Sequence, residues 1–558
     1  MNKLLVLLFL LINTSLLSQN NEGEIEDAQI IIQKNSKIIL NNVDKNIEKI
    51  QLESNPFKKK SIEFNDFEYK IINSDKKIDK FLRNEGITFY DKRNTTINLM
   101  GGNYNSFLAN INPSMIDFKK LTLNSDLFFN HNGKGLKFKD LSKKTIVDSN
   151  INFNYSLNSK NSISSNFNFT ALRSGYYGLT IPDNFDLSRK NILISNNTFS
   201  YDVNWERSSK NYESELNFIG KNFNDKLYNE GNILFKGNFV VFNEKSIFSF
   251  NPYFNYYKLS AKINNSFNNL DLGLIKLPIQ YDYMSNNFSI SLNGKYIIYS
   301  RNWKNKDTGS GIYPSLKFKY HTDNLSISVL ATRDINNEIY SEEINNLPYI
   351  YDPFLFSEFN FIKEKYRIKS KINYHLSDNL TIGISYQTQK ADGNLDYILY
   401  TGNYFPVDIG YPIFLYSVTR DYELERIDIL SVSVNSTYNN ISASLDFTYN
   451  IYEENEIFMP IYIVEFLSTF NYEKLNISLG MDMELKTYGL NLSNEIFEMN
   501  PFVDVYIHSS YKLSDNLSIR LDMNNILNRY NERYFMYPEL GYNLLTGIRW
   551  IFWNEKKW

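Results

Sequence analysis

The chain of 558 residues contains no cysteine. That excludes a disulfide framework, a thiolate nucleophile, a cysteine-ligated metal and anchoring through a lipidated cysteine. It is also short of charge of either sign: 59 Lys and Arg stand against 62 Asp and Glu, leaving a formal net charge of −3. Without a basic surplus or stripe, no nucleic-acid partner is expected. Beyond the N-terminal leader no apolar run approaches the ~18 residues of a membrane-spanning helix. Histidine occurs only at His131, His321, His375 and His508. None forms a His-x-x-x-His or similar ligand pair, so no metal is expected and the four are read as wetted lumen residues. There is no Gly-x-Ser-x-Gly elbow and no phosphate loop, so no catalytic residue and no cofactor are assigned.

The leader has the layout of a cleaved secretory signal. Lys3 precedes an apolar run from Leu4 to Ile12, Leu16 and Leu17 resume it, and the expected cut follows Ser18. Aromatic residues make up 16%, yet the mean hydropathy is only −0.39, so apolar and polar residues must be interleaved.

From about residue 94 that interleaving has a period of two, which places alternate side chains on opposite faces of a strand. Ile151, Phe153, Tyr155 and Leu157 share one face; Asn150, Asn152, Asn154 and Ser156 share the other. Asn158-Ser159-Lys160 turns the chain, and Ile163, Phe167 and Phe169 repeat the pattern. It recurs at Phe288 to Leu292, Leu380 to Tyr386 and Leu517 to Met523, and with less regularity from Leu544 to Phe552, where Leu545 and Ile551 fall on the polar face. Turn chemistry precedes several of these runs, as in Thr322-Asp323-Asn324, Ser377-Asp378-Asn379 and Ser514-Asp515-Asn516. Irregular segments expected as long loops are 174–190, 301–311, 334–352, 391–420 and 486–500.

Alternation sustained over 465 residues (558 − 93) exceeds the ~250–300 residues at which single cores stop growing, which argues against a sandwich. The fold class expected is all-β: a transmembrane antiparallel barrel of about 18–22 strands, with lipid outside and a wet lumen inside. Aromatic clusters such as Tyr253, Phe254, Tyr256 and Tyr257, or Tyr296 and Tyr299, suit interfacial girdles if they lie near strand ends. The domain reading is a signal peptide at 1–18, a charged segment at 19–93 forming a periplasmic arm or a small lumen insert, and the barrel at 94–558.

The stretch Asp522-Met523-Asn524-Asn525-Ile526-Leu527-Asn528-Arg529-Tyr530, followed by Thr546-Gly547-Ile548-Arg549-Trp550-Ile551-Phe552, resembles the closing strands of TonB-dependent receptor barrels. Leu99 to Ser106 and Asn346 to Ile350 are similar to stretches of such proteins from the Bacteroidota. The resemblance implies a receptor-like outer-membrane channel for nutrient uptake, working with a surface lipoprotein or periplasmic partner. The chain departs from that family in two ways. Only 75 residues (93 − 19 + 1) separate the expected cut from the barrel, too few for a full plug, and there is no clear TonB-box-like segment. A structural or secretion-associated scaffold is therefore the alternative, and an outer-membrane hydrolase a third reading.

Three further expectations concern particular residues. Trp550, Phe552 and Trp558 form a candidate C-terminal signal for the barrel insertion machinery. Arg520, Asp522 and Arg549 are candidate lumen-facing charges, either tuning selectivity or, as preferred, stiffening the wall by a cross-strand ion pair. The aromatic residues of segment 391–420 either bind a flat ligand or pack over the barrel mouth.

Overall fold

A computed structural model describes residues 94–553, apart from short connecting segments and the longer stretches 134–141, 176–192, 343–359 and 402–413. The expected signal at 1–18, the arm at 19–93, Asn346 to Ile350 and Trp558 lie outside the described residues.

The structure is a closed antiparallel barrel. Its sheet holds 25 segments, and three wall strands are each interrupted once: Phe107–Asn112 with Ile116–Phe118, Ser246–Phe250 with Tyr253–Ile263, and Leu325–Thr332 with Ile335–Asn337. The wall therefore has 22 strands (25 − 3), the upper end of the expected range. Each wall strand pairs with its sequence neighbours, and Asn94–Gly102 pairs with Asn543–Trp553 to close the ring.

Alternation decides which face is which. On the first strand Leu99 is 39% exposed, whereas Asn98 and Met100 on the opposite face are 1% and 2% exposed. Large apolar side chains left open to the surroundings, such as Ile151, Phe167, Leu292, Ile384 and Ile519, form one continuous outer belt. No water-soluble protein would keep so large an apolar surface; lipid is its natural cover. The inner face carries amides and hydroxyls that bond to one another, as where Asn152 donates to Asn150 (2.6 Å) and Asn217 donates to Asp202 (2.9 Å).

Connections of two or three residues, such as those at 159–160, 322–324, 378–379 and 515–516, gather at one end with Asn94 and Trp553. The other end carries the long connections. Outer-membrane barrels keep short turns in the periplasm and long loops outside, so the long-connection end is called the mouth.

Two expectations need correction. Segment 301–311 is mostly strand: Phe288–Asn302 and Asp307–His321 pair from Arg301 and Asp307 downward. The apolar rhythm ends earlier because these strands project beyond the lipid, where outward positions become Thr308 and Ser310. The cluster at Tyr253 to Tyr257 is not a girdle as a whole. Phe254 and Tyr256 point outward and are exposed, but Tyr257 points inward and is fully buried. Tyr299 likewise turns inward against Phe361, with ring centroids 5.2 Å apart, while Tyr296 stays outside.

Near the mouth the polarity of the wall inverts. Above Tyr256 the outward residue is the exposed Lys258, and the inward residues are Leu259 and Ala261. On the next strand, Ser266–Met284, the outward residues Asn269 and Asp271 give way to Ile275, Leu277 and Ile279, while inward Leu270, Leu272 and Leu274 give way to Lys276. Once the strands leave the lipid, water lies outside them and the apolar side chains need an internal core.

Candidate functional site

That internal core joins the wall to inward-folded connections. Tyr257, Leu259, Leu272 and Ile297 from the wall belong to one apolar cluster with Tyr340, Leu490 and Tyr537 from three different connections. Burying each such side chain contributes about 1.5–3 kcal/mol, so the cluster fixes the connections onto the wall.

Polar contacts set the register of that docking. Glu230 is fully buried and accepts hydrogen bonds from the Ser341 N–H (2.7 Å), the Ser341 hydroxyl (2.7 Å) and the Tyr257 hydroxyl (3.3 Å). The Tyr340 N–H donates in turn to Tyr257 Oη (3.0 Å), and the Tyr340 hydroxyl donates to Asp225 (2.6 Å). Lower down, Asp334 bridges two strands by accepting from Lys276 Nζ (2.9 Å) and Lys295 Nζ (3.0 Å).

The connection 525–542 is built just as firmly. Asn525 and Asn528 have φ of 47° and 48°, the left-handed region that asparagine tolerates. The Asn525 side chain accepts from the Arg529 N–H (2.9 Å) and donates to the Leu540 carbonyl (3.0 Å). Asn531 mimics a strand neighbour, accepting from the Val503 N–H (3.2 Å) and donating to the Val503 carbonyl (2.8 Å). Arg533 reaches Glu484 and Glu539 and lies over the Phe502 ring, 4.1 Å from its centroid. Burial works against its charge, yet Glu484 and Glu539 more than offset it and raise its pKa above the ordinary guanidinium range.

Arg520, Asp522 and Arg549 lie on the face opposite the exposed Ile519 and Ile548, and so on the lumen side. Arg520 and Asp522 share one strand, two residues apart, at 3.6 Å. The residue opposite Asp522 is His508, whose Nδ1 is 3.2 Å away; Arg549 pairs in register with Ser518. Of the other histidines, His131 departs from the lumen reading. It sits on the outer face beside Phe129, with ring centroids 6.4 Å apart, and bonds to Thr145 (2.8 Å).

Sequence periodicity did not reveal an inner row of carboxylates. Asp446, Glu465, Asp482 and Asp504 stand opposite one another on four consecutive wall strands. Register across several hairpins could have exposed it, but only with every turn assigned. Among the described residues no three metal-binding side chains converge on one point.

Trp550 and Phe552 stack on the outer face with centroids 4.3 Å apart, both exposed to lipid. The side chains of segment 395–425 are not among those described.

No family model and no curated protein sequence matches the chain. Solved structures do. The FrpB iron transporter from Neisseria meningitidis superposes with a TM-score of 0.62 at 9% identity, covering 82% of this chain and 81% of its own. The ferric-catecholate import receptor Fiu from E. coli K12 gives 0.59 at 9% identity, covering 82% of each. FpvAI in complex with pyocin S2 gives 0.60 at 11% identity, covering 82% of this chain and 73% of that one. The fold is the large outer-membrane β-barrel that these proteins share. At about a tenth identity the likeness speaks for the barrel's architecture. The mouth, the carboxylate row and the lumen charges are read from this chain's own residues.

Proposed function

We propose that the barrel is a receptor-like conduit of the kind found in the Bacteroidota, which admits a nutrient across the outer membrane without a full plug. The observation that carries this is the two-sided wall. Over the height of the lipid, apolar side chains face out and hydrogen-bonding or charged ones face in, around a ring of 22 strands. Eight-stranded barrels fill their interior with side chains, but rings of 16 or more enclose a channel or a plugged lumen. A polar inner surface of this extent suits passage of a hydrated solute. The docked mouth supports selection at entry, because its connections are pinned by the buried Glu230 carboxylate and the half-buried Arg533 guanidinium. The neighbours FrpB and Fiu are a transporter and an import receptor by name, which agrees with transport rather than catalysis.

The test is single-channel recording of the purified chain in planar bilayers. Discrete conductance steps are expected. A barrel that stays electrically silent, while running as a heat-modifiable folded band on a gel, would count against the conduit. A second reading, docking of a protein at the mouth, is favoured by the pyocin complex of the neighbour FpvAI and by the rigid connection 525–542. Capture of a surface lipoprotein by the intact barrel, lost when Arg533 is changed, would support it.

A further inference from the structure

A closed barrel has no free strand edges, yet this wall leaves one open near the mouth. Asp307–His321 runs for 15 residues, but its neighbour Leu325–Thr332 for only 8. The two pair from His321 with Ser326 up to Ser315 with Thr332 and no further. Pro314 ends the ladder. The His321 N–H donates to the Asn287 carbonyl, on the side of Phe288–Asn302, and the Thr322 N–H donates to the Leu325 carbonyl, on the other side (2.8 Å each). Backbone groups alternate between the two sides of a strand, so even-numbered residues bond toward Leu325–Thr332. Pro314 is the even residue of the next rung and has no N–H to give. The Arg333 carbonyl, which that N–H would have met, accepts from the Thr332 hydroxyl (3.5 Å).

Beyond this rung the neighbouring segment moves inward. Ile335–Asn337 pairs with Phe361–Ser377 alone. Asp334 meets Lys276 and Lys295, and the Asn337 side chain accepts from Asn255 (3.3 Å), all on the inner wall. Thr308, Ser310 and Ile312 thus turn one N–H and one C=O each to the vacated side, and Pro314 turns a C=O. Among the described residues no backbone group bonds to them from there. All four are exposed, and Ile312, at 74%, more so than any other large hydrophobe described. The outward side chains of Thr308 and Ser310 are polar, so this edge meets water on the outer side of the membrane.

Arg333 stands at the foot of the edge. It is exposed, and its guanidinium lies 5.0 Å from the centroid of the inward Tyr313 ring. Among the described residues no carboxylate pairs with it. Asp334 beside it is held by the two lysines, and Asp307 by Lys363 (2.9 Å). An unpaired strand edge is a template for a further strand. From Thr308 to Pro314 it spans about 20 Å at ~3.4 Å per residue, room for a strand of about seven residues.

We propose that this edge takes up an extended, acidic segment of a partner protein as an added antiparallel strand, in the path that Leu325–Thr332 vacates. Main-chain bonds to Thr308, Ser310, Ile312 and Pro314 supply the affinity. An apolar residue of the segment covers Ile312, and a carboxylate opposite Tyr313 meets Arg333. The site goes beyond the conduit reading and does not depend on it, because the edge lies in the wall whether or not the lumen conducts.

The experiment uses the full chain purified in detergent and the peptide Ser-Glu-Val-Thr-Thr-Val-Thr, both ends blocked and one carrying fluorescein, with binding read by anisotropy. With its Ser opposite Pro314, the Glu falls opposite Tyr313 and the first Val opposite Ile312. N-methylation of that Val removes its bond to the Ile312 carbonyl and is expected to weaken binding about tenfold. N-methylation of the following Thr, whose N–H points away from the edge, is expected to leave binding unchanged. I312P removes the edge's own donor and is expected to cost a similar factor. It spares the ladder to Phe288–Asn302, because Ile312 does not bond to that side. R333Q is expected to lose severalfold for this peptide and nothing for one with Gln in place of Glu. Heat-modifiability confirms the fold of each variant, and the two methylated peptides test the edge on the unaltered chain should I312P not fold. Failure of the blocked peptide to bind, equal affinity of the two methylated peptides, or full affinity in a folded I312P overturns the edge as a docking strand. Binding only by a peptide with free ends overturns the partner segment and assigns the edge to free peptides.

Discussion

Asn103 clasps Tyr542 across the seam where the barrel closes. The Asn103 side-chain amide donates to the Tyr542 carbonyl (2.6 Å), and its oxygen accepts from the Leu544 N–H (3.0 Å). The residues are 439 positions apart, yet the amide adds a rung to the ladder between the first strand and the last. Asn103→Ala is expected to lower the thermal midpoint of the folded, heat-modifiable band. With two exposed hydrogen bonds at about 0.5–1.5 kcal/mol each, the loss should be modest, and an unchanged midpoint would show that the clasp is dispensable.

The same seam is intolerant at Gly547. A Cβ there would strike the backbone of Leu99 and Met100, and one at Gly102 would strike the backbone of Leu544. Gly547→Ala should therefore destabilise by about 1–3 kcal/mol or more, because backbone must move. Gly294, where an added Cβ meets nothing within 4 Å, serves as the control and should accept alanine. Equal melting of the two variants would refute the close approach.

Asp334 ties two wall strands together below the mouth. It accepts from Lys276 Nζ (2.9 Å) and Lys295 Nζ (3.0 Å). Asp334→Asn should cost about 2–3 kcal/mol, between an exposed pair and a fully buried one, read as a fall in the thermal midpoint of the folded band. An unchanged midpoint would remove the bridge as a source of stability.

Arg533 pins the connection 525–542 through Glu484 and Glu539. Arg533→Gln leaves Glu484 buried without its cation, a change of about 3–5 kcal/mol where burial is complete. Because the loss is local, it should appear first as proteolysis within 525–542 while the barrel stays folded. Uniform protection of that connection in the variant would contradict the anchoring role.

The wall was legible from residues 94 onward because lipid and water impose opposite demands on the two faces of each strand. Ile151 and Asn152 could be assigned without any knowledge of their neighbours. Leu545 looked like an error in the pattern; it is buried with Met100 and Leu108 in a small inner cluster at the seam. Tyr257 misled for a similar reason, since its strand had already left the lipid. The Asp522–His508 contact was hidden because it depends on the pairing register of two strands, while alternation reports only the face. Asn525 and Asn528 carried the family resemblance as letters, and their left-handed backbone explains the residue type.

The switch of polarity at Tyr256 and Ile275 also gauges the membrane this barrel fits. From Ile275 to Tyr283 every second residue is a lipid-facing hydrophobe, a climb of about 27 Å along the strand at ~3.4 Å per residue. Tilted by about 40°, that is roughly 21 Å of height. A bilayer of ordinary ~30 Å thickness would have to pinch inward around such a cylinder. The protein thus suits a thin host leaflet pair, and in reconstitution shorter acyl chains should give the higher yield of inserted barrel.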